Sequence, residues 1–205
     1  RMGVRAEFVQ NDWLTLVPAL ERGDVDIVMN GLEVTPGRRA RVAFTRPYYR
    51  FRETLVVRAD AADIDGLEAL RGRRVGTLGA SLAHEMLRER PGVEVVLYEG
   101  VDEPYADLEQ GRLDAVLLDH VIAERYGLTR PGLKRAGDVG QGDYAIAVRP
   151  DEPALTAAVD AALGEAIATG ELEAILRRWK LWDEEQRALL AAGPAIGASA
   201  PAGAG

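Results

Sequence analysis

The chain has 205 residues, 47% hydrophobic and 28% charged, with a formal net charge of −8. That excess of acid excludes the basic surface that nucleic acid binding requires, and the absence of cysteine excludes disulfides, thiolate metal sites and cysteine nucleophiles. The only histidines, His84 and His120, make no ligand cluster, so neither a metal nor another cofactor is expected, and no apolar run reaches the roughly 18 residues of a membrane-crossing helix.

The first half of the chain reads as β-α-β. Residues 4–9 are β-branched and alternating, a strand pattern, and Asn11 or Asp12 can cap the helix that follows. Trp13, Leu16, Val17 and Leu20 recur at helical spacing, and Gly23 is a good stop. Residues 25–29 form the next strand, so a parallel sheet with helices on its faces is expected. The strand runs into Gly31-Leu32-Glu33-Val34-Thr35-Pro36-Gly37-Arg38, a turn that ends in a basic cluster with Arg39 and Arg41. Free backbone amides with a guanidinium behind them suit a carboxylate, because arginine offers a planar fork of donors. Solvated arginines at an ordinary corner are the other reading of the same residues. Residues 42–44 and 47–49 are apolar and aromatic, and residues 53–57 form a strand. A first domain crossing is placed at the break over 59–63.

The second block repeats the alternation. A short helical piece at 67–70 precedes a strand at 73–77, a turn at 78–81 and a helix at 82–90 with Ser81 as N-cap. Strands follow at 93–97 and 113–118, and helices at 104–110 and 119–126. Residues 144–148 form a strand that crosses back, and two helices follow at 153–168 and 171–179. Residues 191–205 contain only alanine, glycine, proline, serine and isoleucine, which reads as a flexible tail. Leu20-Glu21-Arg22-Gly23-Asp24-Val25-Asp26-Ile27-Val28 is echoed by Leu108-Glu109-Gln110-Gly111-Arg112-Leu113-Asp114-Ala115-Val116. Two such α/β units, facing each other, would aim their strand ends into one cleft.

The ordered motifs resemble the periplasmic solute-binding proteins for polar amino acids, the type II, family 3 class that serves ABC importers. The match is carried by Asp12-Trp13 with Leu16-Val17-Pro18-Ala19-Leu20, Gly31-x-x-x-Thr35-Pro36-x-Arg38, and Phe44-Thr45-Arg46-Pro47-Tyr48-Tyr49. Leu67 to Gly76, Asp114-Ala115-Val116-x-x-Asp119, Tyr144-Ala145-Ile146-Ala147-Val148 and Trp179-x-x-Trp182 extend it to about residue 190. The resemblance implies an α/β fold of two lobes, each a mostly parallel sheet flanked by helices. Lobe 1 would be 1–58 plus 149–190, and lobe 2 would be 59–148. The family's opening strand and helix of lobe 1 are expected to be missing from this sequence. By the same resemblance, Arg38 takes the ligand's α-carboxylate and Asp119 its α-ammonium. Backbone groups at Gly31 and Glu33 bind the ligand's charged ends, the Ala80-Ser81 turn adds amide donors, and Trp13 forms an aromatic wall. Closure of the lobes over a zwitterion is the implied mechanism, in a periplasmic monomer that serves an ABC permease.

Two departures bear on the ligand. Glu33 stands where the family has serine or threonine, and Asn30 where a small residue is usual. A second carboxylate favours a cationic ligand, or engages Arg38 in competition with it; a Glu33 that faces solvent would do neither. Leu82 and Ala83 replace polar residues often seen after the turn. An enzyme is the rival class. Gly79-Ala80-Ser81-Leu82-Ala83 loosely resembles a nucleophile elbow, and a cyclohexadienyl-dehydratase-like activity would need an acid such as Glu33 or Asp143 in the cleft. A third reading is a sensor or receptor domain fused to a membrane protein.

Overall fold

A computed structural model describes residues 2–192. Its six strands make one sheet in the order β1-β6-β2-β5-β3-β4. Two of them organise the rest. Strand β2 (Ala43–Arg58) and strand β6 (Leu133–Val148) are sixteen residues each and pair antiparallel along their length. They serve both lobes, so the lobes are joined by two strands rather than by loops alone.

Lobe 2 is built on the far halves of these strands. Strand β3 (Arg74–Leu78) pairs parallel with β4 (Glu94–Tyr98) and with β5 (Ala115–Asp119), and β5 pairs antiparallel with β2. Side chains alternate across the sheet. Leu55, Val57, Ala115 and Leu117 pack on one face with Leu87 of helix α3 (Leu82–Arg88), while Val56, Val116 and Leu118 pack on the other with Tyr105 and Leu108 of helix α4 (Glu103–Glu109). Lobe 1 uses the near halves of β2 and β6 and the short strand β1 (Ile27–Val28). Helix α1 (Leu16–Arg22) covers one face through Leu16, Val17 and Leu20, against Val28 and Ala147. Helices α6 (Pro153–Ala168) and α7 (Glu171–Arg178) cover the other through Val159, Leu163, Leu172 and Leu176, against Tyr49, Phe51 and Ile146.

The echoed segments take the same shape. Gly23 and Gly111 both have positive φ, 78° and 73°. Gly23 N donates to Leu20 O, and Gly111 N to Leu108 O, both at 3.1 Å. Asp24 N then donates to Ala19 O and Arg112 N to Asp107 O, both at 2.9 Å. These are paired C-terminal helix closures that launch β1 and β5.

Several expectations need correction. Residues 4–9 form no strand, and Phe8 is 95% exposed, because no ladder among the described residues reaches them. Without that strand the opening β-α-β unit does not form, and β1 pairs with β6 antiparallel. The sheet of lobe 1 is therefore antiparallel, and the parallel pairing is confined to β3, β4 and β5. Asp12 makes no side-chain cap. The strands expected at 53–57 and 144–148 are the ends of much longer ones, and Pro47 sits at a register shift in β2, where a strand tolerates it. Helix α3 (Leu82–Arg88) does begin as expected, with Ser81 Oγ accepting from His84 N at 3.1 Å. The segment after β5 is a short helix α5 (His120–Ile122) that runs into a π-turn, Ala123–Gly127. An unforeseen helix α8 (Glu184–Ala191) is capped by Asp183 and includes the first residue of the expected tail. The tail from residue 193 onwards lies outside the described residues.

Candidate ligand-binding site

A cavity of about 420 Å³ opens between the lobes beside β2 and β6. Its wall includes Trp13, Asn30, Gly31, Glu33, Ser81 and Asp119 from the expected site. Arg38 and Ala80 line a second cavity next to it, of about 410 Å³, which Trp13 also borders.

The chain reaches this position through the loop before helix α2 (Pro36–Arg39). Residues 32–34 run beside β6: Ala145 N donates to Leu32 O at 3.2 Å and Val34 N donates to Asp143 O at 2.9 Å. Gly31, at φ 81°, lets the chain pass over the Tyr144 ring, and its N–H donates to Tyr48 Oη at 3.0 Å. Thr35 Oγ1 then accepts from Arg38 N at 3.3 Å, and Pro36 sits in the first turn, so a one-turn helix presents Arg38 inward.

The Arg38 guanidinium bonds within lobe 1 and across to lobe 2. Nη1 donates to Glu33 O and Glu33 Oε2, both at 3.0 Å, and Nη2 donates to Ala80 O at 2.8 Å. It lies 5.0 Å from the centre of the Trp13 ring, whose Nε1 donates to Gly79 O at 2.8 Å. Glu33 Oε2 also accepts from Leu82 N at 2.8 Å. Glu33 thus occupies donors of the kind a ligand carboxylate would use: a guanidinium N–H and the first amide of α3. Ser81 Oγ is spent on Leu78 O, at 2.8 Å, and on capping α3. Asn30 is exposed at the cavity mouth. Asp119 ends β5 and caps α5, its Oδ1 accepting from Ile122 N at 3.0 Å.

The charge balance of the site is uneven. Glu33, Glu53 and Asp119 are all buried, and Arg38 is the one arginine or lysine buried among the described residues. Burial pushes the Glu33 carboxyl up to about 7 against the pull of Arg38 and the Leu82 amide. Burial also raises Asp119, opposed by the Ile122 amide and the Tyr144 hydroxyl. Glu53 is raised well above its ordinary range, first by burial and then by the negative charges of Glu33 and Asp119. The sequence reading missed Glu53, together with Tyr48, Tyr49 and Tyr144, which also line the cavity. Their signals were present: a carboxylate heading an apolar strand, and tyrosines beside it.

The nucleophile-elbow arrangement does not assemble among the described residues, whereas Glu33, one of the acids named for a dehydratase-like activity, does line the cavity. His84 Nδ1 accepts from Ala80 N at 3.1 Å rather than from Ser81. His120 bonds Tyr49 Oη at 2.9 Å through Nε2 and accepts from Arg52 N at 3.1 Å through Nδ1. Asp143 is held by Arg50 at 2.7 and 3.0 Å.

The sequence profile of bacterial extracellular solute-binding proteins, family 3, matches residues 1–181. The chain belongs to this family. Among its relatives, the lysine/arginine/ornithine-binding periplasmic protein of Escherichia coli (strain K12) is 32% identical over 192 residues, 87% of this chain and 74% of the relative. The solved structure of an ancestral arginine-binding protein bound to arginine is 31% identical, with a TM-score of 0.81 over 87% of this chain and 81% of that one. An ancestral amino acid-binding protein described as a precursor of cyclohexadienyl dehydratase is 28% identical, with a TM-score of 0.80 over 86% and 78%. The family 3 chain described here therefore shares the two-lobed α/β fold with proteins that bind amino acids.

Proposed function

We propose that this chain binds a cationic or polar amino acid between its lobes, outside the cytoplasm, and delivers it to an ABC importer. The observation that carries the reading is the three buried carboxylates that line the cavity, Glu33, Glu53 and Asp119, against one buried guanidinium, Arg38, at the cavity next to it. A buried charge is costly without a counter-charge, and a cationic ligand supplies one. The names of the relatives point to the same class of ligand. In this reading Asp119 accepts the α-ammonium, and Trp13, Asn30 and the Gly31 backbone flank the ligand. The ligand α-carboxylate exchanges with the Glu33 carboxylate on Arg38 and the Leu82 amide, beside the Ala80-Ser81 turn. The protein acts as a periplasmic monomer whose lobes divide, and bend, within β2 and β6.

A thermal-shift screen of the twenty amino acids on this chain tests the reading. A ligand present at about a hundred times its Kd stabilises by about 2.7 kcal/mol, which is visible as a raised Tm. Lysine, arginine or histidine should give the largest rise; no rise with any amino acid would reject the function.

A further inference from the structure

We propose that Glu53 is the receptor for a second positive group on the ligand, so that the cleft selects amino acids whose side chain ends in an ammonium or guanidinium. The proposal rests on the amino-acid reading and assigns the part of the cavity that would read the side chain.

Glu53 lies in β2, in register with Asp119 of β5 on one side and Gly140 of β6 on the other. Directly opposed residues share a face of the sheet, so Glu53 and Asp119 point the same way. Both line the cavity between the lobes. Glu53 is 0% exposed, and neither carboxylate oxygen accepts a hydrogen bond from any described residue. The Ala83 amide is nearby without meeting hydrogen-bond geometry. Its two acidic neighbours differ from it in this respect. Glu33 is held by Arg38 and the Leu82 amide, and Asp119 by the Ile122 amide.

A buried carboxylate with no donor is among the most unfavourable groups a core can hold. In a closed interior it would be exchanged for an apolar residue at little loss; at a cavity wall, a ligand can complete it. The partner must bring both N–H donors and positive charge, because Glu33 and Asp119 already make the surroundings negative. An α-ammonium alone satisfies Asp119 and leaves Glu53 as it is. A second ammonium or a guanidinium satisfies Glu53 too. Tyr48, Tyr49 and Tyr144 line the same cavity, and aromatic faces suit both a methylene chain and the cation at its end.

Calorimetric titration of this chain with L-arginine and L-citrulline isolates the effect, since the two have nearly the same shape and differ in the charge of the side-chain terminus. The wild type should bind arginine at least about tenfold more tightly than citrulline. Glu53→Gln should bring the two within about threefold, through loss of arginine affinity with citrulline affinity unchanged. Glu53→Asp, which keeps the charge, should restore part of the preference. An arginine-to-citrulline ratio unchanged in Glu53→Gln, or equal losses for both ligands, would overturn the assignment. Failure of the wild type to bind either ligand would instead reject the amino-acid function beneath it.

Discussion

Glu33 and Arg38 hold the site in its present form, and the consequences of their pairing are chemical. The carboxyl of Glu33 is raised from 4.5 to about 7, burial being the largest cause. Between those values the folded chain holds a proton on Glu33 that the unfolded chain has lost. Linkage then makes Glu33's contribution to stability fall as pH rises from 4.5 to about 7, and level off above. The loss is at most about 1.4 kcal/mol per pH unit. Glu33→Gln removes this dependence, so the stability of the wild type relative to the variant should decline across that window. Denaturant unfolding of both proteins at several pH values measures it; a constant difference would show that Glu33 is ionised throughout. At this scale the sequence marked Arg38 and Asp119 by their match to a family pattern and Glu33 by its departure from it. Glu53 was not legible as a site residue. Its neighbours Thr54, Leu55, Val56 and Val57 announce a strand, but only the pairing with β5 and β6 shows that it faces the cavity.

At the scale of elements, β2 and β6 bear the most weight. The polar first half of β6, with Lys134, Arg135, Gly137, Asp138, Gly140 and Gln141, carries no strand signal of its own. It is a strand because β2 offers it a continuous ladder of backbone partners, and tertiary pairing overrides weak local preference. The reverse holds for residues 4–9, where good local preference meets no ladder. Helices α1, α3, α4, α6 and α7 were legible from spacing, caps and glycine stops. Helix α8 was not, yet it bonds directly to β2. Buried Gln186 accepts from Arg50 N and donates to Arg50 O, both at 2.8 Å, so a side-chain amide completes the backbone of β2 where a neighbouring strand would otherwise do so. Gln186→Ala leaves that peptide group unpaired and should destabilise the fold by about 1–3 kcal/mol. Urea unfolding gives the value; a loss below about 0.5 kcal/mol would mean that water replaces the amide without cost.

At the scale of the whole molecule, three of the bonds that join the lobes lie together beside the cavity: Trp13 Nε1 to Gly79 O, Arg38 Nη2 to Ala80 O, and Leu82 N to Glu33 Oε2. Each joins the loop side of lobe 1 to the β3–α3 turn of lobe 2. The glycine closures at Gly23 and Gly111, which the sequence echo foreshadowed, launch the strands whose ends and following loops supply Glu33 and Asp119. A ligand that bonds to Arg38 and Asp119 together would strengthen the closed arrangement, since its binding energy depends on both lobes being in place. The central claim is that these two residues hold the two ends of one ligand. Calorimetry with L-arginine on the wild type, Arg38→Ala and Asp119→Ala tests it directly. Each substitution should weaken binding by more than about tenfold, a loss of at least about 1.4 kcal/mol; unchanged affinity in either variant, with the fold intact by circular dichroism, would contradict the account.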